Sequence, residues 1–303
     1  TDFTIQNYFP EITLEGKAKY LAFFEAVSQK TLEMIVHWQR VGFVHGVMNT
    51  DNMSVHGITI DYGPYGWQDD YNPDWTPNTT DSENRRYRFG QQANVALWNL
   101  MQLANAIFPL IDEAEPLEAV LNNFSVQYQK KYNQMMLNKI GIEEENETTI
   151  ALVKALEENL VLQETDMTIF FRNLAQVDKN ETEIMAFERI KSAFYTLEEM
   201  TERNESTWLF WFTQYLSQLK ASTTPNEERK QKMNAVNPKY VLRNYMAQLA
   251  IEAAEKEDYR LISELYEILK NPYDEQPDSE KWFAKRPDWA RTKVGCSMLS
   301  CSS

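Results

Sequence analysis

His45-Gly46-Val47-Met48-Asn49-Thr50-Asp51-Asn52, followed by Asp61-Tyr62-Gly63, is the stretch on which the reading of this chain turns. It places a carboxamide at Asn52 and carboxylates at Asp51 and Asp61 on either side of Met53 to Ile60, which reads as two short β-rich pieces around Gly57. A hairpin there sets Asn52 and Asp61 close together on adjoining strand ends. Two such oxygens suit one magnesium ion, which takes few protein ligands and completes its shell with water and substrate phosphates. Each residue also has an ordinary structural reading: Asp61 caps a turn in Asp61-Tyr62-Gly63-Pro64, and Asn52 caps the hairpin. Upstream, Tyr20, Leu21, Phe23, Phe24, Val27, Met34, Ile35 and Trp38 follow a helical period, and Gly42 stands where a C-terminal cap is expected. One long amphipathic helix from Gly16 to Arg40 therefore delivers the chain into the loop.

The loop resembles the H-R-D-L-x-x-x-N and D-F-G segments of protein kinases, with His45 and Asn52 at the two ends of the first and Asp61 on the aspartate of the second. The position of the kinase base is Val47, and an aspartate stands at Asp51 instead. The longer run from Gly42 to Trp67, GFVHGVMNTDNMSVHGITIDYGPYGW, resembles the signature of the selenoprotein O family, pseudokinase-fold enzymes that transfer AMP from ATP to protein hydroxyls. Asn78-Thr79-Thr80-Asp81 with Arg86-Tyr87-Arg88-Phe89, Trp98-Asn99-Leu100 with Leu103-Ala104, Asn237-Pro238-Lys239-Tyr240-Val241-Leu242-Arg243-Asn244-Tyr245, and the ending Cys301-Ser302-Ser303 carry the resemblance over nearly the whole chain.

The resemblance implies a protein adenylyltransferase with ATP as substrate, bound in a flipped orientation relative to a kinase. Its metal is magnesium or manganese, held by Asn52 and Asp61, which thereby also bind the nucleotide. Asp51 is the catalytic base for a Ser, Thr or Tyr hydroxyl, or else supports Asn52 and the metal. It further implies a cytoplasmic location in a bacterium or a mitochondrial one in a eukaryote, and redox control through Cys301. The irregular segment 61–90 has no cysteine to pair with Cys301, which leaves Cys296 as the visible partner in this chain.

A formal charge of −15 argues against a nucleic-acid partner, because phosphate backbones are bound by basic patches. No uninterrupted apolar run is read as approaching the ~20 residues of a membrane span. Two cysteines in the last eight residues exclude a disulfide framework for the core. The three histidines give no zinc spacing. Arg85, Arg86 and Arg88 face two readings, as phosphate holders or as surface partners of Asp69, Asp70 or Asp74. Trp208-Leu209-Phe210-Trp211-Phe212 reads as helix core.

The expected fold is mainly α: a protein-kinase-like C-lobe with a small β-hairpin at the catalytic and metal loops, then an α-helical extension. Residues 1–110 form the C-lobe core, 111–270 the extension, and 271–303 an extended tail lying over the helices. After Gln91 the expected helices are 92–108, 116–138, 148–161, 164–175, 181–202, 206–219, 238–256 and 258–270. Only 44 residues precede His45 and they hold no G-x-G-x-x-G, so the N-lobe is expected to be absent and the isolated chain inactive. Two rivals remain beside the AMP transferase: an inert pseudokinase scaffold, and a phosphotransferase with an unconventional base.

Overall fold

The computed structural model describes residues 1–293, 295 and 296. The Cys301 expectation lies outside the described residues. The chain opens with α1 (Asp2–Tyr8) and the long helix α2 (Gly16–Val41), which ends where Gly42 turns left-handed at φ 74° and its N–H reaches back to the Gln39 and Trp38 carbonyls. Two short strands follow, β1 (Phe43–Val44) and β2 (Gly66–Trp67), paired antiparallel with Phe43 opposite Trp67 and Val44 opposite Gly66.

This pairing corrects the expected hairpin at 53–60. Gly57 closes a turn there, with its N–H on the Ser54 carbonyl at 3.2 Å, but a Cβ on Gly57 would meet the backbone of Lys30 on α2. Trp38, also on α2, donates its indole N–H to Thr59 Oγ1 at 2.9 Å. The segment is therefore spread along α2, and apart from that one turn its described backbone forms no ladder with itself.

The helices after Gln91 are α3 (Gln92–Ile111), α4 (Ala114–Ile140), α5 (Glu147–Leu160), α6 (Met167–Leu174), α7 (Glu183–Ile190), α8 (Glu202–Ala221), α9 (Asn226–Val236), α10 (Asn244–Ala254) and α11 (Arg260–Lys270). Pro109 does not end α3 as expected. It sits in the last turn, where the missing bond concerns the exposed Asn105 carbonyl, and Asp112 caps the helix in the left-handed region at φ 55°. Pro116 falls in the first turn of α4, where its absent N–H costs nothing. Asn146 and Thr149 cap each other at the start of α5.

Two expected boundaries shift for tertiary reasons, and one helix was not expected at all. The helix expected over 181–202 breaks after Ile190 because Phe194 turns extended, bridges Thr165 and buries its ring beside Trp208. The stretch 238–243 is not helical, since the Lys239 and Tyr240 N–H groups both donate to the Pro272 carbonyl. Helix α9, absent from the expected set, is strongly polar and buries only Arg229 and Met233, so it carries almost no apolar period. The tail is not simply extended: it forms two 3₁₀ turns, Pro277–Trp282 and Asp288–Arg291.

Helix α2 packs against both α3 and α4. A continuous apolar cluster runs from Ile5 to Met233, and a second, around Tyr240, Met246, Leu265, Trp282 and Ala290, joins α10 and α11 to the tail. Within the aromatic run of α8, Trp208, Trp211 and Phe212 are buried as expected, whereas Phe210 points outward. Phe89–Ile111 is long and apolar enough to cross a membrane by length and composition, contrary to the reading of the sequence. Its polar residues are amides without charge, and in this fold Val95, Ala96, Leu100, Ala104 and Ile107 turn one face into the core. Lys139 of α4 is buried, donates to the Arg40 carbonyl in the last turn of α2 at 2.7 Å and lies over the Phe171 ring. It thereby caps α2 from outside.

Tyr71, from the irregular segment, and Tyr132 of α4 both donate to Glu157 Oε1 on α5, Tyr71 over 3.3 Å. Burial pushes the Glu157 carboxyl above its ordinary value of 4.5. The folded state thus holds this proton more tightly than the unfolded chain; the contribution is fully present below pH 4.5 and is lost as pH rises through the folded pKa. Glu157→Gln keeps an oxygen for both hydroxyls and removes the charge. In urea titrations at a series of pH values, the stability of the variant relative to wild type is predicted to increase as pH rises from 4.5 to neutrality. A gap that narrows or reverses over that range would contradict the role of the buried carboxyl.

Candidate functional site

The β1–β2 pair clamps the base of the loops, so residues 45–52 leave one strand while 61–65 enter the other. The two segments touch at Gly46. Its φ is 82°, and any Cβ there would overlap the Pro64 carbonyl oxygen.

Side-chain amides hold the 43–52 backbone. Gln92, at the start of α3, donates Nε2–H to the Phe43 carbonyl at 2.9 Å and accepts the His45 N–H at 3.0 Å. Asn78 donates to the Gly46 carbonyl at 3.1 Å, Asn52 to Val47 at 2.9 Å, and Asn99 of α3 to Met48 at 3.0 Å. The Tyr87 hydroxyl donates to Asn49 Oδ1 at 2.5 Å. Asp81 in turn fixes Tyr87, accepting the Arg86 and Tyr87 N–H groups at 2.8 and 2.7 Å.

His45 links the loops. Its buried ring stacks on Trp38 with centroids 5.5 Å apart, Nδ1 accepts the Val47 N–H at 3.4 Å, and Nε2 lies 2.8 Å from the Ile60 carbonyl. The first contact leaves the proton on Nε2, which donates to Ile60, the residue before Asp61. Burial pushes the imidazole below its ordinary pKa and so keeps it neutral at pH 7.

The expected site residues lie on this frame. Asp51 is exposed in the 3₁₀ turn Thr50–Asn52. Asp61 is exposed and left-handed at φ 54°, a conformation that aspartate tolerates better than most residues. Among the described residues, neither carboxylate has a hydrogen-bond or ion-pair partner. The Asn52 amide gives its N–H to Val47, which leaves Oδ1 unpartnered. At the three expected positions the acceptors without a partner among the described residues are two carboxylates and one carboxamide oxygen, hard oxygens of the type magnesium takes alongside phosphate and water, although those residues hold no cluster of three or more His, Cys, Asp or Glu side chains that could hold a metal ion.

The arginine cluster divides. Arg88 pairs with Asp74 at 2.9 Å, Arg86 lies over the Trp98 ring at 4.6 Å, and Asp69 and Asp70 belong to other arginines. Arg243, fully buried at the start of α10, bonds Asp69 Oδ1 at 2.8 Å and both Asp166 oxygens at 2.7 and 2.9 Å. Burial alone would push the guanidinium down, and the two carboxylates outweigh it and hold it well above its usual range. Arg286 of the tail adds contacts to Asp70 at 3.3 Å and Glu164 at 2.8 Å. Residues 69–70, beside β2, are thus braced from α6, α10 and the tail together.

Reading the sequence for chemistry missed Gln92, Asn78, Asn99 and Tyr87 as positioning residues. Asn78, Tyr87 and Asn99 stand in the segments that carry the family resemblance, which was the available signal, whereas nothing local singles out Gln92.

The chain matches the model of the family described as protein adenylyltransferase SelO over residues 1–270, and it belongs to that family. Relatives named protein nucleotidyltransferase YdiU share 62% identity over 302 residues in Flavobacterium johnsoniae, 49% over 318 in Rhodopirellula baltica and 48% over 304 in Aromatoleum aromaticum. Each alignment covers 100% of this chain and 57–59% of the relative, so the chain spans somewhat over half the length of the proteins it matches.

Gln92→Leu tests the amide frame. It leaves the buried Phe43 carbonyl and His45 N–H unpaired and is predicted to lower stability by roughly 2–6 kcal/mol, at about 1–3 kcal/mol per orphaned group. A urea midpoint equal to wild type would show that Gln92 does not hold the loop.

Proposed function

We propose that this chain carries the catalytic and metal loops of a protein adenylyltransferase, in a kinase-like C-lobe, and that the full-length protein transfers AMP from ATP to Ser, Thr or Tyr hydroxyls of proteins. The observation that supports this most directly is the state of the three acceptors. Four carbonyls of the 43–48 backbone are held by fixed amides, while the Asp51 and Asp61 carboxylates, both exposed, and Asn52 Oδ1 have no partner among the described residues. Family membership and the names of the relatives point the same way.

In this reading Asn52 and Asp61 would hold magnesium or manganese, which when bound would supply positive charge toward the nucleotide phosphates. The substrate hydroxyl attacks the α-phosphorus, the bond to the pyrophosphate oxygen breaks, and Asp51 accepts the hydroxyl proton. His45 acts through position: as a neutral donor to the Ile60 carbonyl it fixes the residue before Asp61. Tyr87 and Asn78 set the loop around Asp51 in the same way. Rate then comes mainly from positioning and charge complementarity, as in other phosphate-transfer reactions.

The test is incubation of the full-length protein with magnesium-ATP and a protein acceptor, read by mass spectrometry, where AMP and phosphate adducts differ plainly. Asp61→Ala is predicted to abolish transfer and Asn52→Ala to weaken it strongly, both with melting temperatures near wild type. Asp51→Asn is predicted to slow transfer by about 10²–10⁴-fold while calorimetric ATP affinity is kept. Parallel loss of nucleotide affinity in Asp51→Asn would reassign Asp51 to metal support. A phosphate adduct would replace the proposed reaction with phosphoryl transfer.

A further inference from the structure

Four carboxylates meet just beyond β2: Asp69 and Asp70 from the segment that leaves the strand, Glu164, and Asp166 at the cap of α6. Arg243 serves two of them, Asp69 and Asp166. The tail supplies the other guanidiniums. Arg291 takes both Glu164 oxygens at 2.7 and 2.9 Å, and Arg286 spans Asp69 at 3.5 Å, Asp70 at 3.3 Å and Glu164 at 2.8 Å. Among the described residues, Asp70 meets no cation other than Arg286.

The Arg286 contact is seated by its backbone. Its N–H donates to the Tyr195 hydroxyl at 3.0 Å, the neighbouring Lys285 donates to the Phe194 carbonyl at 2.6 Å, and Lys285, Arg286 and Arg291 all lie over the Tyr195 ring. The side chain itself is only 13% exposed, unlike an ordinary surface pair. Burial pushes the Asp69 and Asp70 carboxyls up, and Arg286 opposes that at both. Without it, two guanidiniums would face four carboxylates where water is scarce, and Asp70 would be left as an uncompensated, largely covered charge. The segment most exposed to that repulsion is 69–70, whose flanking backbone is tied by single bonds: Gln68 N–H to Gly42 at 2.8 Å, Met167 N–H to the Asp69 carbonyl at 2.9 Å, and Tyr71 N–H to Thr165 at 2.9 Å. β2 lies between this brace and the place where the Pro64 carbonyl meets Gly46, so the position of 69–70 bears on how the strand that follows Asp61 approaches the 45–52 loop.

Resting on the adenylyl-transfer reading above, we infer that Arg286 of the tail is a positioning residue for that reaction: by clamping Asp69 and Asp70 it holds β2 against β1 and so keeps Asp61 in place beside the loop that carries Asp51 and Asn52. Arg286 touches none of the reacting groups. It acts through the charge balance of the cluster, which makes the tail a working part of the site although it lies more than two hundred residues further along the chain.

The experiment uses the full-length protein and has one arm that needs no catalysis. Arg286→Gln removes the charge and keeps most of the side chain. Hydrogen exchange read on peptides is expected to show loss of protection over residues 66–72, where the Gln68 and Tyr71 N–H groups are bonded in the wild type, with α8 unchanged. In the kinetic arm the magnesium concentration at half-maximal AMP transfer is expected to rise about tenfold, the scale of losing an outer support of a metal ligand. A smaller folded fraction lowers the rate without moving that concentration. Adding Asp70→Asn to Arg286→Gln returns the excess of carboxylates over guanidiniums to that of the wild type and is expected to restore most of both readouts. If Arg286→Gln melts early, Asp70→Arg replaces it, setting like charge against Arg286 from the segment's side while the tail keeps its contacts to Glu164 and Tyr195. Unchanged protection over 66–72, an unchanged magnesium requirement, or a double variant no better than the single one would each overturn the positioning role. AMP transfer by the wild type together with any of these results removes that role and keeps the adenylyltransferase. Loss of protection in a protein whose wild type transfers no AMP removes the adenylyltransferase and with it the part assigned to Arg286.

Discussion

The site depends on a row of carboxamides. Four carbonyls between Phe43 and Met48 are each met by a side-chain amide N–H, from Gln92, Asn78, Asn52 and Asn99. Beyond the two residues of β1 the described loop has no ladder partner, and every buried carbonyl left open would cost on the order of 1–3 kcal/mol. Amides are well suited to the task because they donate and accept without carrying charge, so the geometry they impose does not change with pH. They also come from separate places: the irregular segment, the loop itself and two turns of α3. The loop therefore acquires its shape only when α3 and the segment have docked.

A second set of constraints orients the other side. The left-handed Gly46 lets the Pro64 carbonyl approach the loop, and the buried Arg243 ties Asp69 to the N-terminal cap of α6. A buried ion pair is weak evidence of net stability, since desolvation opposes its Coulomb attraction. Its effect here is directional: it joins a segment near β2 to α6 and α10, elements far away in sequence. Together the amides and the ionic brace fix the segments on either side of Asp51, Asn52 and Asp61, whose side-chain oxygens have no partner among the described residues, and the proposed metal-assisted transfer draws on that arrangement.

Local chemistry made much of this legible. The period of α2 and the glycine that caps it, the helices α3 to α5 and the aromatic face of α8 all follow from residues that contact one another within a few turns. The candidate acceptors were likewise visible as residue types in an unusual order, and the family to which the chain belongs was evident from motifs spread along it. Helix α9 was not visible, because a polar helix buried through Arg229 and Met233 leaves no periodic trace.

What only the tertiary structure decided are the pairings between distant segments. The 53–60 stretch has the composition of a hairpin, yet it lies along α2 because Gly57 fits against the Lys30 backbone and Thr59 meets Trp38. The strand pair formed instead, 43–44 with 66–67, is too short to be recognised by alternation. The turn at Phe194 and the extended run at 238–243 likewise exist for partners at Thr165 and Pro272. In this protein, residue types and short-range periodicity determine which helices form and which oxygens are available; the long-range hydrogen bonds that turn those oxygens outward depend on distances no local pattern encodes, so they emerge only with the folded chain.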